Sequence, residues 1–587
     1  MALDPDPLYD NAMEVPILQQ VEVRLTGFLG AQQAKIVRVH RRLDERVNQG
    51  DALFDVEGSK ETTILHAQVA GRLVALEVAE GDVVPMGSVL ARIEMADEAM
   101  AEIDRQEAVS AKKQPSLPYS RERIEVDIAV LGAGPGGYVA AIQGAKLGAS
   151  VALVEKAKLG GTCLNWGCIP TKALVRSAEV YKTLLHSEEY GCYVEGLRFD
   201  MNQILLRKQR VVEQLVRGIH SLIKANGIKL IEGMGSLVDH HTIAVNRGSQ
   251  QTMISARNII IATGSKTSKS SIPGTDHPGI LDSRQALELK ELPERMVIIG
   301  AGIIGMEFAF IFSSFGVRVS VLEYLDTVLS GCDRDICEEI DGAARRQGIQ
   351  IYTSANTEAI SQADDGQYIV SFTQGAEHKY LTTGKVLIAI GREPDLTGVN
   401  LDQLGLRSNQ SGRGIRVNEH MQTNIPHIYA IGDVTDKLQL AHVASRQGVV
   451  AAKHIIGQEI AMDYSAVPSA IFTDPEIGLV GLSEATAAEK GISIDVGRFP
   501  FVASGKALAY GDTRGFVKVI KERDSGKVCG ASIVGPHATD SIPELALAIQ
   551  YGLTAEQIAN TIHAHPTTAE AIQEAAMATA GGAIHAR

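Results

Sequence analysis

Basic charge, cysteine, tryptophan and long apolar runs are all scarce in this chain, and each scarcity closes off a class of function. Lys and Arg (56) are outnumbered by Asp and Glu (70), giving a formal net charge of −14 over 587 residues. So acidic a surface argues against nucleic acid as a partner and for a soluble protein. No apolar run reaches the length that spans a bilayer, so no membrane partner is expected. Met1 to Asp10 is acidic and contains proline, without the charged-then-apolar pattern of an export signal, so the expected location is cytoplasmic. Six cysteines, at 163, 168, 192, 332, 337 and 529, are too few and too scattered for a disulfide framework. No four of them have zinc spacing, and no metal site is expected. The length is too great for one domain and suggests three or four.

What the chain does have is a stretch of concentrated chemistry, Gly160-Gly161-Thr162-Cys163-Leu164-Asn165-Trp166-Gly167-Cys168-Ile169-Pro170-Thr171-Lys172. The two cysteines stand five positions apart, in a run apolar enough to open a helix. One turn of helix lets them face the same side and close a small disulfide. The glycines before them let the backbone pass close to a flat ligand without a Cβ in the way. A purely structural disulfide is the alternative, and it fits poorly in a chain with no other secreted character. A pair that cycles needs an electron source beside it.

Strand–glycine turn–helix units stand on both sides. Val126–Leu131 reads as a buried strand, followed by Gly132, Gly134 and Gly137 in G-x-G-x-x-G spacing, a small-residue helix Tyr138–Leu147, and a strand Ser150–Val154 ending in Glu155. The unit recurs as Met296–Ile299, then Gly300, Gly302 and Gly305, a helix Met306–Phe315, and a strand Val317–Leu322 ending in Glu323. Such glycines permit the tight turn, let N–H groups reach a pyrophosphate at the helix N-terminus, and allow close helix–strand packing; the acid accepts from ribose hydroxyls. Two copies imply two dinucleotides. Glu323 would repel a 2′-phosphate, so the second copy favours NAD over NADP.

Three more apolar strands stop at glycine, as strands do at a ligand: Ile259–Ala262 before Thr263-Gly264, Val386–Ile390 before Gly391, and Ile428–Ile431 before Gly432-Asp433. Asp433 is a candidate for a ribityl hydroxyl or, equally, a turn aspartate. Leu440-Ala441-His442 then opens a helix running to about Ile456. From Tyr464 the pattern shifts to alternating apolar runs, a hairpin over Phe516–Val534, and Ala-rich helices around 541–551 and 568–579. Between those helices lies Ile562-His563-Ala564-His565-Pro566-Thr567, with Glu570 one turn on. A carboxylate that fixes an imidazole's tautomer makes a general base; the plainer reading is a capping or surface histidine.

The front of the chain differs. Residues 14–96 read as short strands containing an internal repeat: Ile36-Val37 and Val39, then Val47, Gly50, Leu53, Val56-Glu57, recur without a gap as Leu73-Val74 and Leu76, then Val84, Gly87, Leu90, Ile93-Glu94. Two matching half-sheets imply a two-fold β-sandwich. Lys60 falls just after the first half, where the chain must turn, and is either a carrier of a swinging cofactor or a solvated lysine. Residues 97–123 are charged, Ala-rich and then Pro-containing, which suits a tether with room for a short helix.

On these residues the front segment resembles a lipoyl (biotinyl-lipoyl) domain, with Lys60 at its modified lysine, although Ser59 stands where Asp is usual. The body from about 124 onward resembles the pyridine nucleotide–disulfide oxidoreductases, and within them the dihydrolipoamide dehydrogenases. The resemblance rests on Gly161-Thr162-Cys163 through Cys168-Ile169-Pro170-Thr171-Lys172, both glycine fingerprints, Gly432-Asp433, and His563 to Thr567 with Glu570. Glutathione reductase-like relatives carry basic residues near Glu323, and mercuric reductase-like relatives end in a cysteine pair, whereas this chain ends Ile584-His585-Ala586-Arg587. Asp395, where Asn is common, and Ser445-Arg446-Gln447-Gly448, in place of a more acidic run, depart from the pattern.

The resemblance implies an α/β fold: two Rossmann-like dinucleotide-binding domains plus an α+β dimerisation domain, preceded by a small all-β lipoyl-type sandwich. The implied layout is lipoyl-like 14–96, linker 97–123, FAD-binding 124–273, NAD-binding 274–393, FAD-binding second part 394–463 and interface 464–587. Cys163 would meet substrate, Cys168 would lie against the flavin, and Lys172 would pair with Glu307. His565, backed by Glu570 and supplied by the partner of a homodimer, would take the thiol proton. FAD would use Gly132, Gly134, Gly137, Glu155, Lys172, Gly235, Thr263, Gly264, Asp433 and Leu440-Ala441-His442; NAD would use Gly300, Gly302, Gly305, Glu323 and Gly391. The implied reaction is oxidation of dihydrolipoyl groups, electrons passing through Cys163–Cys168 and FAD to NAD⁺. The implied partners are the lipoylated acyltransferase core of a 2-oxoacid dehydrogenase complex or a glycine cleavage carrier protein, with a covalent lipoyl on Lys60.

Overall fold

The computed structural model describes residues 20–25, 33–48, 50–58, 62–67, 69–85, 88–95 and 121–586. The chain divides into two compact units, Met1–Pro118 and Tyr119–Arg587.

In the first unit apolar residues alternate with polar ones, and strands follow. They are β1 (Gln20–Arg24), β2 (Gln33–Val39), β3 (Arg46–Val47), β4 (Ala52–Glu57), β5 (Thr62–His66), β6 (Gly71–Leu76), β7 (Val83–Pro85) and β8 (Val89–Met95). They form two four-stranded sheets, ordered β1-β8-β6-β3 and β5-β4-β2-β7. The sequence repeat maps β2 onto β6, β3 onto β7 and β4 onto β8, so each sheet is the image of the other. Each half lends a short strand to its counterpart's sheet, β3 pairing with β6 and β7 with β2. Between the sheets the repeated apolar residues meet, Ile36, Val47, Leu53 and Val56 with Leu73, Leu90 and Ile93. Strands β4 and β5 pair out to Glu57↔Thr62. Lys60 and the tether's expected short helix lie outside the described residues.

The second unit opens with β9 (Arg121–Leu131), which begins five residues before the expected Val126. Arg121–Arg123, expected in the tether, are strand because they pair in parallel register with Gln251–Met253. Next come α1 (Pro135–Lys146), β10 (Val151–Glu155), α2 (Gly161–Trp166), α3 (Cys168–Leu185), β11 (Lys229–Glu232) and β12 (Gln250–Ile261). The second copy supplies β13 (Ile280–Leu281), β14 (Arg295–Ile299), α4 (Ile303–Ser314), β15 (Arg318–Leu322), β16 (Gln350–Tyr352) and β17 (Lys385–Ile388). Then β18 (Ile428–Ala430) returns to the first sheet and α5 (Ala441–Ile455) follows.

The parallel cores match: β11-β10-β9-β12-β18 in one sheet and β16-β15-β14-β17-β13 in the other. Both first strands end at a glycine with φ of 105°, Gly132 and Gly300. That is left-handed backbone, open to glycine at no steric cost. A Cβ on Gly137 would stand 1.8 Å from the Gly132 carbonyl oxygen, and one on Gly305 would stand 1.9 Å from that of Gly300. Each third glycine is therefore a packing requirement of the turn.

The last part is a five-stranded antiparallel sheet, Ser469–Ile471, Ile477–Gly481, Val528–Val534, Phe516–Glu522 and Ile494–Pro500 in spatial order. Helices α6 (Ala538–Gln550) and α7 (Glu570–Ala578) bury Ile542, Leu545, Ile572 and Ala575 against it.

Candidate active site

The cysteine stretch is not the single helix that its apolar run suggests. Helix α2 stops at Gly167, whose φ of −141° and ψ of −111° leave the helical region, and α3 starts afresh at Cys168. Cys163 thus sits within α2, while Cys168 is the first residue of an 18-residue helix. A helix N-terminus carries partial positive charge and stabilises a thiolate. Lys172 lies one turn further along.

The two sulfurs ionise unequally. A hydrogen bond from the Cys163 thiol, then the charge of Lys172, lowers Cys168 from 9.0 to about 7 against the opposing effect of burial. The same hydrogen bond, with burial, pushes Cys163 well up. Of the two thiols, Cys168 is the one that gives up its proton first.

Lys172 is held by two remote parts of the chain. Its Nζ donates to Glu307 Oε1 (2.9 Å) and Oε2 (3.0 Å) on α4, and lies 4.4 Å from the centre of the Phe472 ring. The Phe472 N–H donates to the same Glu307 Oε1 at 3.0 Å. Nothing in the sequence marks Phe472. Trp166, the one tryptophan, stands between the cysteines under the Arg284 guanidinium at 4.2 Å. That contact also joins segments remote in sequence.

These groups open onto a cavity of about 1410 Å³ between the two parallel sheets. It gathers Cys163, Cys168, Lys172 and Glu307 with Gly132, Gly134, Gly137, Glu155, Gly235, Thr263, Gly264, Asp433, Leu440, Ala441 and His442 from the first copy. From the second copy it gathers Gly300, Gly302, Glu323 and Gly391. Gly305 stands behind this lining.

Residues 126–448 match the family model described as pyridine nucleotide-disulphide oxidoreductase. The chain belongs to that family. Residues 467–576 match the dimerisation domain of the same oxidoreductases, and residues 29–93 match the biotin/lipoyl model described as biotin-requiring enzyme. The oxidoreductase is 43% identical over 465 residues to a dihydrolipoyl dehydrogenase of Haloferax volcanii, covering 78% of this chain and 97% of the relative. It is 41% identical over 463 residues to one of Geobacillus stearothermophilus, with 79% and 98% covered. A solved HOCl-induced flavoprotein disulfide reductase from Escherichia coli, in its Cu(II) complex, superposes with TM-score 0.70 at 31% identity, covering 77% of this chain and 99% of that one.

The family's FAD and NAD fit the oxidoreductase's cavity. The Thr263 hydroxyl is buried there without a partner, and a buried polar atom without a partner is costly unless a ligand supplies one. Gly134, Gly264, Gly302 and Gly391 have open space where a Cβ would point. Burial pushes the Asp433 carboxyl up, the Ser265 hydroxyl donating to it at 2.6 Å notwithstanding. Glu155 and Glu323 each brace their own glycine turn. Glu155 accepts from the N–H groups of Ala133 (2.8 Å) and Ala157 (2.8 Å), and Glu323 from those of Ala301 (2.6 Å) and Leu325 (2.9 Å). Each carboxylate oxygen keeps a lone pair for a ligand hydroxyl. Asp395, the departure from the family pattern, accepts from Lys156 Nζ at 2.6 Å beside Glu155.

His565 and Glu570 do form the expected couple, Nδ1 to Oε1 at 2.9 Å, with the Thr567 N–H on the other oxygen at 2.8 Å. Burial opposes it, but the Thr567 amide and the His565 ring hold Glu570 below the usual carboxylate range. The His565 side chain is 81% exposed and is not part of the cavity wall of its own chain.

Proposed function

We propose that this chain is an NAD-dependent dihydrolipoamide dehydrogenase, oxidising dihydrolipoyl groups to the lipoyl disulfide. The observation that carries this reading is the thiol pair itself, Cys163 on α2 and Cys168 at the start of α3 with Lys172 one turn on, opening onto a cavity that both glycine turns also line. The relatives named dihydrolipoyl dehydrogenase, over 40% identical across most of the chain, support the substrate.

The reaction starts from the Cys163–Cys168 disulfide. His565 of the partner subunit takes a proton from one substrate thiol, and Glu570 behind it fixes the tautomer and stabilises the imidazolium. The thiolate attacks the Cys163 sulfur, and the Cys163–Cys168 bond breaks with Cys168 leaving as thiolate. The second substrate thiol attacks the mixed disulfide, the lipoyl disulfide departs, and Cys163 takes up the proton. A leaving thiol of low pKa departs faster, so the positions of Lys172 and the α3 N-terminus favour this direction. Bound FAD supplies two-electron relay between the Cys168 thiolate and the nicotinamide. Gly132 to Gly137, Glu155, Thr263 and Asp433 would hold it, and Gly300 to Gly305 with Glu323 would hold NAD.

The exposed His565, outside its own cavity, and the match to a dimerisation domain support a homodimer in which each subunit completes the other's site. The front sandwich supports a lipoyl group on Lys60. The partners are then lipoylated acyltransferase or glycine cleavage carrier proteins, in the cytoplasm. Among the described residues no helix is long and apolar enough to cross a membrane.

The test is NAD⁺ reduction by free dihydrolipoamide, together with the intact mass of protein from its native host and of its Lys60→Ala variant. Activity with a lipoyl-sized increment lost in the variant is the expected result. Bound FAD without dihydrolipoamide activity, but with NADH-dependent reduction of another disulfide, would sink the substrate assignment.

A further inference from the structure

Away from the cavity, among the described residues, two groups of side chains bring their ligand atoms within 4.8 Å of one another: Asp333, Asp335 and Glu484, and His420, His454 and Glu459. The first already holds a cation. The Lys518 ammonium, fully buried, stands 2.7 Å from Asp333 Oδ2, 3.0 Å from Asp335 Oδ2 and 2.8 Å from Glu484 Oε1. The second offers nitrogen donors.

We propose that His420, His454 and Glu459 form a binding site for a divalent transition-metal ion of the zinc class. Two imidazoles and a carboxylate suit zinc; calcium and magnesium take oxygen donors. Both rings are anchored through their other nitrogen, as metal-bound histidines are. His420 Nδ1 lies 2.7 Å from the Ile460 carbonyl oxygen. A carbonyl only accepts, so the proton is on Nδ1; Nε2 is left for an ion, with the Glu419 Oε1 carboxylate oxygen 3.6 Å from it adding negative charge at the site. His454 Nδ1 lies 3.0 Å from the Tyr429 hydroxyl. A hydroxyl oxygen accepts as well as donates, and an ion selects the tautomer in which His454 Nδ1–H donates to it. His454 also stands in the last turn of α5, where the carbonyl ends of the helix favour a cation.

Binding requires the two rings to move. The rings are stacked, 4.5 Å apart and 13° from parallel. Tetrahedral bonds of 2.0–2.1 Å need the two nitrogens about 3.3 Å apart. Rotation of the rings about their side-chain torsions would have to bring the two nitrogens that close. The backbone stays fixed: Met462 N–H is bonded to the Glu419 carbonyl at 2.8 Å, and Tyr429 lies within β18. Glu459 is exposed, which leaves the fourth position to water. The other end of α5 carries Leu440-Ala441-His442 into the cavity wall, so a bound ion would staple the far end of the same helix to two loops.

The experiment is calorimetric titration of Zn²⁺ into the full-length, FAD-loaded enzyme with its Cys163–Cys168 disulfide closed, so that this thiol pair does not compete. The wild type is expected to bind one equivalent more than the His420→Ala/His454→Ala double variant. Glu459→Gln, at an exposed position, should fold normally, keep its turnover and bind that equivalent at least about tenfold more weakly. Mg²⁺ should leave the site unfilled. Equal stoichiometry and affinity in the wild type and Glu459→Gln, or no zinc bound by the wild type, would overturn the proposal.

Discussion

Replacing Cys163 tests what makes Cys168 a thiolate. Its hydrogen bond is the largest influence holding Cys168 at about 7 rather than 9.0. Ala removes the donor and Ser keeps a shorter one. A thiol with its midpoint at 7 is about half ionised at pH 7, and one at 9 about 1% ionised. Lys172 and the helix end remain, and burial acts against them, so Cys163→Ala should bring the midpoint most of the way back and cut thiolate reactivity at pH 7 by about 10- to 50-fold. Cys163→Ser should stay within about one unit of the wild type. The sign is fixed by the lowered value: the thiolate is present above the midpoint and lost as pH falls through it. The assay is ultraviolet thiolate absorbance of the reduced enzyme against pH, with alkylation at Cys168 located by mass spectrometry. A midpoint unmoved near 7 in Cys163→Ala would refute the reasoning and assign the thiolate to Lys172 and the helix terminus.

Lys172→Gln should raise the same midpoint and destabilise the fold; adding Glu307→Gln should restore melting temperature but not the thiolate, a cycle that separates the two roles. His565→Gln should lower dihydrolipoamide turnover by about 10²-fold or more while FAD content is unchanged, with Glu570→Gln falling by less. Gly305→Ala should yield little folded protein, since its Cβ meets the Gly300 carbonyl. Gly302→Ala, with open space in the structure, should fold but bind NAD⁺ weakly, measured as a raised KM. Alkylation of the reduced enzyme at neutral pH should label Cys168 long before Cys332.

That last contrast shows how far the sequence could be read. Cys332 and Cys337 have the spacing of Cys163 and Cys168. They also stand at equivalent places after the loop residues that bond Ala301 and Ala133, Leu329 and Gly160. Yet burial, then Cys337 and Asp333, pushes Cys332 up to about 12. Spacing alone does not reveal which pair is reactive; the neighbours do, and those come from elsewhere in the chain. The glycine fingerprints, their acids and the sandwich repeat were legible because each is local and periodic. The helix break at Gly167 was hidden inside an apolar run. Phe472, Arg284 and the strand start at Arg121 depend on partners more than a hundred residues away. His420, His454 and Glu459 are likewise joined only by folding.

One carboxylate has a consequence for the whole second unit. Glu307 is 4% exposed and bonds Lys172 on α3 and Phe472, just past the strand Ser469–Ile471, from its own place on α4. Separating any of the three parts would strand a buried charge, at about 3–5 kcal/mol. The parts should therefore melt together in one transition. A turnover that opened these parts would have to meet that cost in every cycle.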